Sequence, residues 1–130
     1  MDKNKLNKCL EVYKKNNSCR FVRVPEMRKF LMDEFGFKIP VNTRKPELEQ
    51  LFLDNLNPDS IERYMQVERF GVISSDIQEI LGISKYKTSK LIKAEKFDVK
   101  YIYVTHSPGF ELHIPLYDIS SVIAYMQEKR

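Results

Sequence analysis

Lys85, Tyr86, Ser89, Lys90 and Lys93 recur at intervals of one, three and four residues, which puts all five on one side of an α-helix. Their chemistry is donation and positive charge. A lysine ammonium can donate to guanine O6 and N7, and a tyrosine ring can lie against a thymine methyl. Lys87, Lys96 and Lys100 fall off that face and suit flanking phosphates. The run from Lys85 to Lys100 holds six lysines against two acids, Glu95 and Asp98. Catalysis finds no comparable set. No Ser/His/Asp arrangement can be argued from the two hairpin histidines, His106 and His113, and the acids are scattered over helix faces, so no enzyme is expected. Cys9 and Cys19 lie ten residues apart and form no Cys-x-x-Cys pair, so neither a metal nor a cofactor is expected.

The 130 residues suit one compact domain or two very small ones. A hydrophobic fraction of 42% and a charged fraction of 31% describe a soluble globular chain. No apolar run reaches the length of about 20 residues that a membrane span needs, and the N-terminus carries no signal-peptide core. A cytoplasmic protein without a membrane partner is the expectation. The net charge of +4 is unevenly placed. Residues 1–23 carry seven Lys/Arg against two acids, residues 24–57 five against six, and residues 58–130 ten against ten. Within the last block the acids Glu62, Glu68, Asp76 and Glu79 precede the lysines, so this half is a dipole with one face drawn to phosphate.

The elements that must position the lysines begin at Ser75. Ser75 with Gln78 reads as a capping box, Ile77, Ile80 and Leu81 share a helical face, and Gly82 supplies the left-handed stop. Ser84 caps a second helix, over 85–95, in which Thr88, Leu91 and Ile92 face inward. This layout resembles the helix-turn-helix of winged regulators, and Gly82-Ile83-Ser84-Lys85 matches the usual Gly-Val-Ser-Lys turn except for Ile. Gln78 and Thr88 depart from the small and β-branched apolar residues usual at those sites, which implies a slightly wider helix crossing. The resemblance implies that the second helix enters the major groove of DNA.

Downstream, 99–104 and 110–114 alternate as strands, and Ser107-Pro108-Gly109-Phe110 joins them as a type II turn. Pro115 is expected to close the second strand, and 117–128 to form a last helix. His113-Ile114-Pro115, Asp118-Ile119 and Tyr125-Met126 resemble the end of excisionase and MerR-like domains, so the resemblance covers residues 72–127. The wing tip departs from it: it has no Lys or Arg, and His106 offers phosphate a charge only as pH falls toward about 6.5.

The first half reads as a helix over 2–16, a helix from Pro25 to Gly36, an extended loop, and a helix from Pro46. Gly36-Phe37 and Pro40-Val41-Asn42-Thr43-Arg44-Lys45-Pro46-Glu47-Leu48 resemble the SAP, or helix-extension-helix, module of nucleic-acid-binding proteins. Two extra residues, Lys38-Ile39, and Thr43 in place of a glycine are the departures. The resemblance implies backbone contact by Arg44, Lys45 and Lys38. Asn57-Pro58-Asp59-Ser60 marks a boundary, followed by a helix that carries Ile61, Tyr64, Met65 and Val67 and leads to Gly71.

The expected fold is mostly α with a small β-hairpin wing (α+β), a helix-extension-helix module over 1–57 and a winged helix-turn-helix over 58–130. The expected function is double-stranded DNA binding by a transcriptional regulator or accessory factor, in a phage or mobile-element setting by analogy with excisionases. Few base contacts per wing imply either a homodimer or a second module. A protein-interaction adaptor, with Tyr101, Tyr103 and Phe110 as its surface, is the reading from another class, and RNA binding through the first half is a third.

Overall fold

Asp2 starts the first helix, its carboxylate accepting from the amides of Asn4 at 3.0 Å and Lys5 at 3.2 Å. In the computed structural model, which describes residues 2–128, α1 spans Lys3–Lys15 and buries Leu6, Cys9, Leu10 and Tyr13 at the predicted helical spacing. Asn17 takes a left-handed conformation, which asparagine tolerates, and a 3-10 turn, Ser18–Phe21, leads to α2 at Val24–Phe35. Gly36 ends α2 with φ +67°. Residues 36–44 form the expected extended loop, and α3 spans Lys45–Asp54. Arg28 shapes that loop by donating to the carbonyls of Ile39, Pro40 and Val41 at 3.1–3.3 Å.

The helix expected after Ile61 is reduced to one 3-10 turn, Tyr64–Gln66. The reason is tertiary. Tyr64 packs its ring 4.7 Å from Phe30, 5.1 Å from Phe52 and 5.1 Å from Phe70. Six residues of continuous helix turn through about 240°, which would send Phe70 away from Tyr64.

After Val72 come α4 at Ser74–Leu81, α5 at Lys85–Lys93, strands β1 at Val99–Ser107 and β2 at Phe110–Tyr117, and α6 at Ile119–Glu128. The molecule is thus mostly helical with one two-stranded antiparallel sheet. Strand β2 runs past Pro115, which lies opposite Ile102. Tyr117 directs its backbone at Val72, donating at 2.7 Å and accepting at 3.0 Å. Pro115, two residues earlier, turns its missing donor toward the same outer edge, where a proline breaks no β1 bond. Gly71 fits beneath this bridge, because a Cβ there would stand 2.7 Å from the Tyr117 carbonyl oxygen.

The buried core is one continuous cluster from Leu6 to Ile123 and crosses the expected boundary at 57/58, with α1 packing on both α4 and α6. At its centre Asp76, fully buried, accepts from Ser18 Oγ at 2.6 Å, Asn16 Nδ2 at 2.7 Å and the Ile73 amide at 3.2 Å. Asp76 therefore does the capping expected of Ser75 and Gln78, because its carboxylate also has the end of α1 to hold. No helix among the described residues is long and apolar enough to cross a membrane.

Two outcomes follow from this packing. Asp76→Ala strands the Ser18 hydroxyl and the Ile73 amide, leaves Asn16 only Glu79, and lowers unfolding free energy by about 2–4 kcal/mol in urea titrations. Burial pushes the thiols of Cys9 and Cys19 up to about 12, with the nearby Glu49 carboxylate adding to the rise at Cys19. The unfolded thiols ionise first, so stability from keeping them neutral is complete below about pH 9 and is lost from there to about pH 12. The urea midpoint falls over that window.

Candidate nucleic-acid interface

The lysine-bearing helix is set by local bonds at both ends. Gly82, at φ +62°, lets the Ile83 amide reach back to the Gln78 carbonyl at 3.2 Å, a closure that ends α4 and starts the turn. Ser84 Oγ accepts from the Lys87 amide at 3.1 Å and caps α5. Thr88 is buried and its hydroxyl donates to the Ser84 carbonyl at 2.9 Å, which explains how a hydroxyl stands at an inward site. Its polar group is satisfied within the helix.

With Thr88 turned inward and Leu91 and Ile92 half-buried, Lys85, Tyr86, Lys87, Ser89, Lys90 and Lys93 are all exposed. Tyr86 is 71% exposed and carries the Lys90 ammonium 5.1 Å above its ring. The helix stops at Lys93, two residues short of the expected end. Glu95 takes a left-handed φ of +56° and the Lys96 amide closes on the Leu91 carbonyl at 3.1 Å. Lys96 is exposed beyond this turn.

Lys100 is not placed for a flanking phosphate. Its ammonium donates to the Met65 carbonyl, in a cavity of about 260 Å³ shared with Glu62, Gln66, Asp118 and Ser120. Burial holds its pKa below the usual lysine value, opposed by Asp118. In the first half, Lys38, Arg44 and Lys45 are exposed around a turn closed by the Thr43 amide on the Pro40 carbonyl at 3.1 Å. Arg44 precedes the first turn of α3 and makes no side-chain cap there.

His106 is exposed at the hairpin end, with Nδ1 3.4 Å from Glu111 Oε1, while His113 Nε2 lies 3.4 Å from Glu111 Oε2. Both imidazoles thus face one carboxylate at the hairpin end, and no lysine or arginine stands between Tyr101 and Tyr117. Among the described residues no group of acids, cysteines and histidines could hold a metal ion.

Sequence reasoning missed Arg20 and Arg69. Arg69 lies 4.8 Å over Tyr101, donates to its hydroxyl at 2.8 Å and lies 5.9 Å from the Tyr103 ring. Tyr103 packs edge-on against Phe21 at 5.1 Å, and Arg20 covers Phe21 at 4.5 Å. This alternating pile fixes the base of the hairpin to the 3-10 turn after α1. An isolated arginine between Glu68 and Phe70 carries no periodic signal that could have announced it.

Comparison with models of protein families, with curated proteins and with solved structures gives no match.

Glu95→Gly relieves a left-handed strain and raises stability by about 0.5–1 kcal/mol, whereas Lys100→Ala loses a half-buried bond and lowers it by about 1–2 kcal/mol. Thermal unfolding of the two variants beside wild type reads both signs.

Proposed function

We propose that the protein binds double-stranded DNA as a winged helix-turn-helix, with α5 lying in the major groove. The observation that carries this reading is the uncovered outer face of α5. Lys85, Tyr86, Ser89, Lys90 and Lys93 point away from the core on the same helix whose opposite side buries Thr88. The order α4, Gly82, α5, β1, β2, with Val72 bridging to Tyr117, fits the winged arrangement. Lys90 and Ser89 read base edges, Tyr86 offers ring contact to a thymine methyl, and Lys87 and Lys96 hold phosphates.

The first half is read as helix-extension-helix-like, with Lys38, Arg44 and Lys45 reaching a neighbouring stretch of backbone. The Arg28 clamp on the loop carbonyls supports that role, since a loop already shaped loses little freedom on contact. A regulator or accessory factor without enzymatic activity, in the manner of excisionases, is the biological role this favours.

Selection from a randomised duplex pool followed by footprinting tests the proposal and reports site and length together. Log affinity for the selected duplex falls with log salt by about 0.9 for each phosphate neutralised. Lys90→Ala weakens the selected site more than random duplex, by about 1–3 kcal/mol. Lys45→Ala weakens both equally and reduces the salt slope by about 1. A Lys85/Lys90/Lys93 triple Glu variant that binds duplex normally would overturn the reading.

A further inference from the structure

The hairpin is the least charged surface of a basic chain. From Tyr101 to Tyr117 there is no Lys or Arg and one acid, Glu111. The register sorts the two faces: Tyr101 with Leu116, Tyr103 with Ile114, Thr105 with Leu112 and Ser107 with Phe110 share one side. Glu111 and both histidines lie on the other. Along the uncharged side, cover fades toward the turn. Leu116 is buried, Tyr103 and Ile114 are half-buried, and Leu112 and Phe110 are 50% and 61% exposed. Nothing in the fold rewards a phenylalanine and a leucine uncovered on one face at the end of an arm.

We propose that this distal face, formed by Phe110, Leu112 and Thr105 with Ile114 behind them, is where two copies of the chain meet, face to face about a two-fold axis. A two-fold contact sets a patch against its own image, so any charge on it meets the same charge. In a chain of net charge +4, a face without formal charge can bear that. The basic groups stand at the arm's base, Arg69 over Tyr101 and 5.9 Å from the Tyr103 ring, and Arg20 over Phe21. An acidic foreign partner would be drawn to that base, and the neutral distal rows suit a second copy.

Three cross-strand rows span about 10 Å by 15 Å, well below a standard interface, so the pair is weak and reversible. The use of such a pair rests on the DNA reading: two α5 helices held on one duplex bind with the second contact at raised effective concentration. The contact itself is independent of DNA.

Sedimentation equilibrium of the full chain from about 5 to 500 µM tests it, concentrations at which weak association is read directly. Wild type shifts from monomer to dimer across that span, and Leu112→Lys and Phe110→Ser remain monomeric with unchanged thermal unfolding, since both side chains are already half-exposed. The Lys85/Lys90/Lys93 triple Glu variant dimerises like wild type, so loss of DNA binding there leaves the contact standing. A wild-type chain that is monomeric throughout, or a Leu112→Lys chain that pairs as wild type does, overturns the proposal.

Discussion

One buried carboxylate holds the two ends of this architecture in register. Asp76 accepts from the last turn of α1 through Asn16, from the following 3-10 turn through Ser18, and from the amide that opens α4. A carboxylate at the start of a helix is favoured by the helix dipole, and three donors replace the water it gives up. At the surface Lys15 and Asn16 reach Glu79 one turn further along α4. Since α4 carries the turn that sets α5, the orientation of the lysine face is fixed through α1, not within residues 74–93 alone.

The division of lysines follows from that frame. Four of the five lysines of α1 serve the protein itself: Lys3 pairs with Asp59, Lys5 with Asp2, Lys15 with Glu79, and Lys14 donates to the Leu56 carbonyl, while Lys8 is exposed. Lys85, Lys93 and Lys96 form no ion pair among the described residues, and Lys90 has only the Tyr86 ring. The first 23 residues are richer in formal charge, yet most of it is engaged within the molecule, whereas the lysines of α5, like Lys38, Arg44 and Lys45, are exposed. Net charge per segment was therefore a poor guide to the outer field, because it counts a lysine engaged with a carboxylate the same as one facing water.

Where short-range rules decide a feature, it was legible before any coordinates. Helical spacing gave the buried faces of α1, α2, α4 and α5, and Gly36 and Gly82 stop helices for the reason their φ demands. The Pro108-Gly109 turn paired β1 with β2. What could not be read is governed by distant partners. Tyr64 and Phe70 give up a helix to join rings from α2 and α3. Asp76 takes the cap from Ser75 because Ser18 lies next to it. Lys100 turns inward because Met65 offers a carbonyl. Glu95 ends α5 in a conformation that residue type argues against. The candidate face of α5 was fully visible in the spacing, since solvent exposure of a helix needs only that its other side be apolar. The arginine–aromatic pile under the hairpin joins residues 20 to 103 and left no local trace.

Gly71 carries a consequence for how this chain can change over generations. Its Cα passes so close to the Tyr117 carbonyl that even one added methyl would stand 2.7 Å from it, against backbone that has no rotamer to yield. Exposed side chains have room to be exchanged, but this crossing of chain over chain admits a single residue type. Descendants of this sequence keep that glycine long after their surface residues have drifted, which makes it the more durable mark of common ancestry.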